Sequence, residues 1–425
     1  MSGEPDYEPD YDSMTAAMSF SVGGSSRAAG KGLFAKELLL GSQDLLEEVP
    51  LVSWPAPETA AAEYNSRCAF CEECMCIFVR SSPRAVRCRV AGCGARFCSS
   101  ACSSTRKHKA LCGGALPALR TWQARTALDS EYGAEALARC NAQIASDTAY
   151  YISECSLDPA SALLNATRPW ERLCSFPPDC ELALRGGATA EDVSAVVRVH
   201  TQSHILELLQ ETMASADARA IADQLTSAPH CAGLLQRLLL NTFQWRHPGT
   251  MDARVTPQGP AQASAGAAPL RFSGVFVLMS CANHDCSPNV RLDTKWSLDA
   301  DEEVDGQMPY RELCSMTMRT IREIGPDAEL QLSYVNVEMG LDERRKRLAH
   351  WAFTCLCTRC KEEQQQRSQP AERNEGKGMC SVAGAGSSAG SENRDEDATA
   401  RSRESASEVG DAEGSDAHVK KKTRL

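Results

Sequence analysis

No apolar run in this 425-residue chain is long enough to span a bilayer. The first residues, MSGEPDYEPDYDSM, are acidic and lack the basic-then-apolar pattern of a secretory leader. Both absences point to a reducing compartment, and nucleus or cytoplasm is the expected location. Excess positive charge is missing as well. Lys and Arg number 45 against 56 Asp and Glu, a net charge of −11, so strong general binding to DNA is not expected. Large apolar side chains nearly vanish after residue 360, and such a tail cannot bury enough surface to offset its ordering entropy. The repeated acidic phrase PDYEPDYD at the start reads the same way.

What the chain does have is cysteine, 21 residues of it. In a reducing compartment these are more often metal ligands or core thiols than disulfides. Between residues 68 and 112 stand CAFC, CRVAGC, CSSAC and HKALC. They pair Cys68 with Cys71, Cys88 with Cys93, Cys98 with Cys102, and His108 with Cys112. Seven thiols and one imidazole are the right number for two closed tetrahedral zinc sites, and two ions replace a core that so short a segment could not build alone. Spacing alone does not fix which pairs share an ion, and Cys74 makes a second CxxC with Cys71.

Pattern gives the fold class. Strand-like runs lie at GLFAKELLL, EEVPLVSW, FSGVFVLMS, LCSMTMRT and ELQLSYVNV. Apolar residues at a period near 3.6 fill LPALRTWQARTALDS, AEALARCNAQIASDTAYYISE, AEDVSAVVRVHTQSHILELLQETM and GLLQRLLLNTF. Strands flanking a helical insert predict an α+β protein, with a loop at 248–269 rich in Gly, Pro and Ala. One phrase fits no ordinary element. Residues 283–289 read NHDCSPN directly after the apolar GVFVLMSCA, and every polar group there needs a partner once buried. It is a structural turn or a ligand site.

The cysteine-rich stretch resembles the MYND zinc finger, in which the first and third pairs bind one zinc and the second and fourth the other. It departs from that pattern at CRVAGC, where four residues separate the cysteines. GKGLFA (30–35), NHDCSPN, ELQLSY (329–334) and ERRKRLAHWAFTCLCTRC (343–360) together resemble a SET domain with its cysteine-rich post-SET segment. The chain is thus identified as similar to the SET and MYND protein-lysine methyltransferases, with the short tail of the family's fifth-member branch. That branch is associated with methylating histone tails and a ribosomal protein. The layout implied is a disordered acidic N-terminus (1–24), an N-terminal SET half (25–67), the finger (68–112), a helical linker and insert (113–247), a flexible loop (248–269), a C-terminal SET half (270–340), post-SET (341–360) and a disordered tail (361–425).

The resemblance assigns roles. Gly30, Lys31 and Gly32 would cradle S-adenosylmethionine, with Lys31 reaching its carboxylate. Asn283 and His284 would hold it through backbone and side-chain hydrogen bonds, and Phe353 would pack on the adenine or the channel wall. Tyr334 would stand at the reaction centre, orienting rather than acting as general base, beside a lysine channel that includes Phe243 and Trp351. Trp351 stands where most relatives have a tyrosine, which bears on how many methyl groups are added. Cys286 would complete a third zinc site with Cys355, Cys357 and Cys360, while Pro288 and Asn289 fix the turn. The implied partners are a protein substrate, from a histone tail or a ribosomal or other protein, and a proline-rich peptide at the finger; a monomer is expected. The competing reading is a MYND adaptor with an inert SET fold. A small-molecule methyltransferase is disfavoured, because the glycine-rich turn of a doubly wound sheet is not found.

Overall fold

The computed structural model describes residues 11–25, 30–61, 68–126, 133–175, 188–247, 270–298, 311–351 and 353–368. Loop 248–269 and the tail beyond Ser368 lie outside the described residues.

Helix α1 (Tyr11–Thr15) leads into β1 (Phe20–Ser25), β2 (Gly30–Ala35), β3 (Asp44–Glu48), β4 (Val52–Pro55) and the short α2 (Pro57–Ala61). The cysteine-rich segment follows, with β5 (Cys68–Phe70), β6 (Ile77–Val79), β7 (Val86–Arg87), β8 (Arg96–Phe97), α3 (Ser100–Ser103) and α4 (Arg106–Ala110). Next come α5 (Ala115–Thr126), α6 (Ala134–Ser153), α7 (Pro159–Glu171), α8 (Ala190–Gln210), α9 (Ser215–Leu225) and α10 (Ala228–Asn241). The chain returns to strands in β9 (Thr242–Arg246), β10 (Arg271–Val275), β11 (Asn283–His284), β12 (Val290–Leu298), β13 (Arg311–Thr320) and β14 (Glu329–Leu332). It closes with α11 (Leu341–Leu348) and α12 (Thr358–Ser368).

The early strands pair with the late ones. β2 takes β1 on one side and β14 on the other, and β11 adds to β14 in parallel. β3 pairs with β13, and β4 with β10. The helices and the rest of the cysteine-rich segment are therefore an excursion from one β body, which β5 and β6 join where β6 pairs with β13, and whose buried cluster runs from Phe20 and Leu33 to Leu330, Tyr334 and Cys360. Gly274 is needed where β10 passes between β4 and β9, since a Cβ there would stand 2.8 Å from the Val52 carbonyl oxygen and 2.9 Å from the Trp245 ring.

The helices form a second core of their own. Their starts follow the side chains available. Asp158 caps α7 and Pro159 opens it. Thr189 and Asp192 form a reciprocal capping box on α8, and Ser227 caps α10. GLLQRLLLNTF, read as helical throughout, stops at Asn241, where Thr242 turns extended and its hydroxyl donates back to the Leu238 carbonyl. Two boundaries also move. Residues 11–24, expected to be disordered, form α1 and most of β1. Helix α12 carries order past residue 360, as far as Ser368.

Finger and helices are locked by four charges. Glu72, next to Cys71, receives Arg120 of α5 at 2.9 and 3.0 Å. Arg139 of α6 donates to the Glu72 carbonyl at 2.7 Å and reaches its carboxylate as well. Glu135 accepts from both guanidiniums at 2.8 to 3.0 Å. Burial pushes the Glu72 carboxyl up, but Arg120 and Arg139 more than reverse this and hold it at about 2. Breaking such a quartet leaves a buried guanidinium under-compensated. Glu72→Gln is expected to cost about 3 kcal/mol in chemical denaturation with bound metal unchanged; a loss under about 0.5 kcal/mol would show that the quartet does not join the two parts.

Candidate active site and cysteine clusters

NHDCSPN sits where the two ends of the β body meet, and its polar groups are satisfied by specific partners. The approach is set by Glu48, whose carboxylate accepts from the backbone N–H of Leu278 and Met279 at 3.0 and 2.9 Å. Asn283 donates to the Lys31 carbonyl at 2.9 Å and to Glu329 at 2.6 Å, tying the phrase to the GKG turn. Asn289 donates to the Glu329 carbonyl at 2.8 Å and accepts from the Gln331 N–H at 2.7 Å, so it pins β14 alongside. Asp285 takes the N–H of Ser287 at 2.8 Å and gives its own N–H to Leu332 at the same distance.

His284 makes the pivotal contacts. Its Nδ1 accepts from the Tyr334 N–H at 3.0 Å, and its Nε2 lies 3.3 Å from Cys286 Sγ. Burial pushes its pKa down to about 4, so the ring is neutral near pH 7. With Nδ1 accepting, the proton belongs on Nε2, where it faces the sulfur. The resemblance expects Asn283 and His284 to hold a cofactor through backbone and side-chain hydrogen bonds; in the structure both ring nitrogens of His284 face protein groups, Tyr334 and Cys286.

Tyr334 is 2 % exposed and donates from its hydroxyl to the Ala282 carbonyl at 2.9 Å. The rings of His284, Trp351 and Phe353 stand 5.0, 5.8 and 6.5 Å from its own. Trp351 is thus a direct ring neighbour of the tyrosine. Phe243 is fully buried in the same cluster and packs edge-on against Phe276 at 5.4 Å. Glu329 was missed in the sequence, where it reads as a polar position of an alternating strand. Here it holds Asn283, and a Cβ on Gly32 would fall 2.5 Å from its Oε1. Gly32 is what lets that carboxylate approach the turn.

Among the described residues, three groups of ligand atoms converge. In each, all four atoms lie within 4.8 Å of one another. Cys286 is joined by Cys355, Cys357 and Cys360, all buried, as the sequence suggested. Cys88, Cys93, His108 and Cys112 form the second group, uniting the second and fourth pairs. Sulfurs around a tetrahedral zinc lie about 3.8 Å apart and those of a disulfide about 2 Å. Cys286 stands 3.5 Å from Cys360 and 3.9 Å from Cys355, and Cys88 stands 3.6 Å from Cys112. The donor sets and their spacing fit zinc.

The first group includes Cys76, which the expected pairs leave out. It contains Cys71, Cys74, Cys76 and Cys98. Cys102 lies 3.6 Å from Cys98 and also beside Cys71 and Cys74, so five thiols gather here and Cys76 and Cys102 compete for the fourth position, while the Cys68 side chain lies outside the described residues. The run CEECMC explains it. With Met75 in the left-handed region at φ 57°, the chain turns tightly enough for Cys76 to join Cys71 and Cys74.

The described residues form an α+β fold with three clusters able to hold zinc, and comparison with known proteins adds to this. No family model matches the chain. It is 32 % identical over 88 residues to the histone-lysine N-methyltransferase ATXR2 of Arabidopsis thaliana, covering 21 % of this chain and 16 % of that protein. It is 30 % identical over 119 residues to the histone-lysine N-methyltransferase set5 of Schizosaccharomyces pombe, 28 % of this chain and 32 % of that one. A SET and MYND domain-containing protein of Dictyostelium discoideum is 31 % identical over 102 residues, 24 % of this chain and 16 % of the relative. The chain thus spans at most about a third of the length of these relatives. These partial matches support a likeness to the SET and MYND methyltransferases.

Metal analysis is expected to give three zinc ions per chain, two in Cys286→Ser, and two in Cys76→Ser but three in Cys102→Ser. Loss in Cys102→Ser with retention in Cys76→Ser would put Cys102 in place of Cys76 as the fourth ligand.

Proposed function

We propose that this chain is a protein-lysine N-methyltransferase that uses S-adenosylmethionine, acting on a lysine of a histone or of another protein, a ribosomal one included. In this reading strands β1 to β4 and β9 to β14 are the two halves of a SET fold. Residues 68–112 are a MYND finger suited to a proline-rich peptide, and Cys355, Cys357 and Cys360 belong to a post-SET segment. The observation that carries it is the placement of Tyr334. Its hydroxyl is fixed on the Ala282 carbonyl, one residue before the asparagine that grips the GKG turn, under an aromatic cover held down by the Cys286 cluster.

When bound, the cofactor supplies an electrophilic methyl group on a sulfonium. Gly30, Lys31, Gly32 and Asn283 would hold it, with Phe353 beside it. The chain's own task is to present a neutral amine in line. Free lysine, with a pKa near ~10.4, is almost wholly ammonium at pH 7. A site walled by Tyr334, Trp351 and Phe353 penalises that charged form by desolvation, and alignment then supplies much of the rate. Because the Tyr334 proton is given to Ala282, the phenol offers an acceptor to the incoming amine N–H. That is an orienting and electrostatic role, not that of a base. Trp351 adds bulk where a second hydroxyl would otherwise stand, which restricts room for an amine that already carries methyl groups.

The test uses full-length zinc-loaded protein with methyl-labelled S-adenosylmethionine and core histones, a ribosomal fraction or whole-cell lysate as acceptors. Labelling is expected in the wild type, and Tyr334→Phe should lower it at least about a hundredfold while keeping zinc content and melting temperature. Absence of cofactor binding would favour the adaptor with an inert SET fold.

A further inference from the structure

Tyr11 lies in the segment whose composition promised disorder, yet it is 6 % exposed and part of the β-body core. Its hydroxyl donates to the Arg172 carbonyl at 2.7 Å. Lys31 Nζ lies 3.3 Å from the same oxygen and 4.6 Å from the ring centroid. Cys281, two residues before Asn283, and Cys174 flank the phenol. Tyr11 is therefore wedged between the GKG turn and the segment entering NHDCSPN. Thr15 closes the turn of the helix by donating to the Tyr11 carbonyl at 2.9 Å, and Lys36 anchors its far end by donating to the Thr15 carbonyl at 2.6 Å.

The donor and acceptor logic is directional. A phenol has one proton, and here it goes to Arg172, so the oxygen can only accept from Lys31. Burial pushes the Tyr11 pKa up, which keeps it a neutral acceptor rather than a phenolate that would neutralise the ammonium. A lysine head group on a four-carbon stem loses much rotamer freedom when it must meet a ligand. An acceptor in contact and a π face beneath restrict it in advance.

We propose that Tyr11 is a positioning residue of the cofactor site: it holds the Lys31 ammonium ready for the carboxylate of the bound cofactor. This rests on the methyltransferase reading above. The test compares two ligands by calorimetry on full-length zinc-loaded protein. S-adenosylhomocysteine carries the amino-acid carboxylate, and methylthioadenosine lacks it. Tyr11→Phe is expected to weaken the first about tenfold and leave the second unchanged, and the effect should vanish in a Lys31→Met background. Equal loss for both ligands, or the same loss without Lys31, would make Tyr11 a core residue only. Tighter binding in Tyr11→Phe would make α1 a plug that competes with the ligand; either result overturns the proposal. A readout without ligand separates it from the methyltransferase reading: acetylation of Lys31 by a small acylating reagent should speed up several-fold in Tyr11→Phe. If the wild type binds no S-adenosylhomocysteine, the methyltransferase reading fails, and an unchanged Lys31 acetylation rate then overturns the positioning of Lys31 as well.

Discussion

His284 stands between two systems that would otherwise be independent. One ring nitrogen takes the backbone N–H of Tyr334 and the other faces Cys286. A neutral imidazole can do both at once only in one tautomer, with its proton directed at sulfur. A thiolate bound to metal accepts such a proton well, and partners of this kind orient metal ligands in general. The position of the tyrosine is therefore tied to the geometry of the cysteine cluster, and the cluster in turn gathers residues from opposite ends of the C-terminal part of the chain. Arg359 strengthens the link by donating to the Cys286 carbonyl at 3.1 Å. Arg344, fully buried, reaches Cys360 and Glu363.

The remainder of the fold serves that junction. Strands from the first fifty-five residues pair with strands beyond residue 270, so the GKG turn and NHDCSPN are brought together by long-range pairing. Contacts so distant in sequence are costly to close. The chain offsets the cost with a helical body that has its own core, a finger whose interior is largely thiol, and a buried charge quartet between them. Each part is small, and zinc-type clusters substitute for apolar area that short segments lack.

What could be read from sequence follows from how local each signal is. Cys355, Cys357 and Cys360 stand within six residues, and the expectation that Cys286 completes them holds in space. The long helices declare themselves by period. The first finger cluster was not legible, because Cys68, Cys71, Cys74 and Cys76 offer several short-spaced pairs and only the turn at Met75 selects among them. Tyr11 was hidden by acidic surroundings that resemble a disordered tail, since composition cannot register one aromatic finding a pocket. Glu329 and Glu48 were hidden for a related reason. On a strand, a carboxylate facing solvent looks like one that grips a side-chain amide, as Glu329 does, or backbone N–H groups, as Glu48 does.

The most direct measurement is calorimetric titration of S-adenosylhomocysteine into zinc-loaded wild-type protein and into Cys360→Ser, with melting curves recorded on both. If the cysteine cluster sets the tyrosine centre through His284, the wild type binds. The variant, one zinc short, then loses binding at least about tenfold while the helical body still melts cooperatively. Equal affinity in the two proteins would contradict the account.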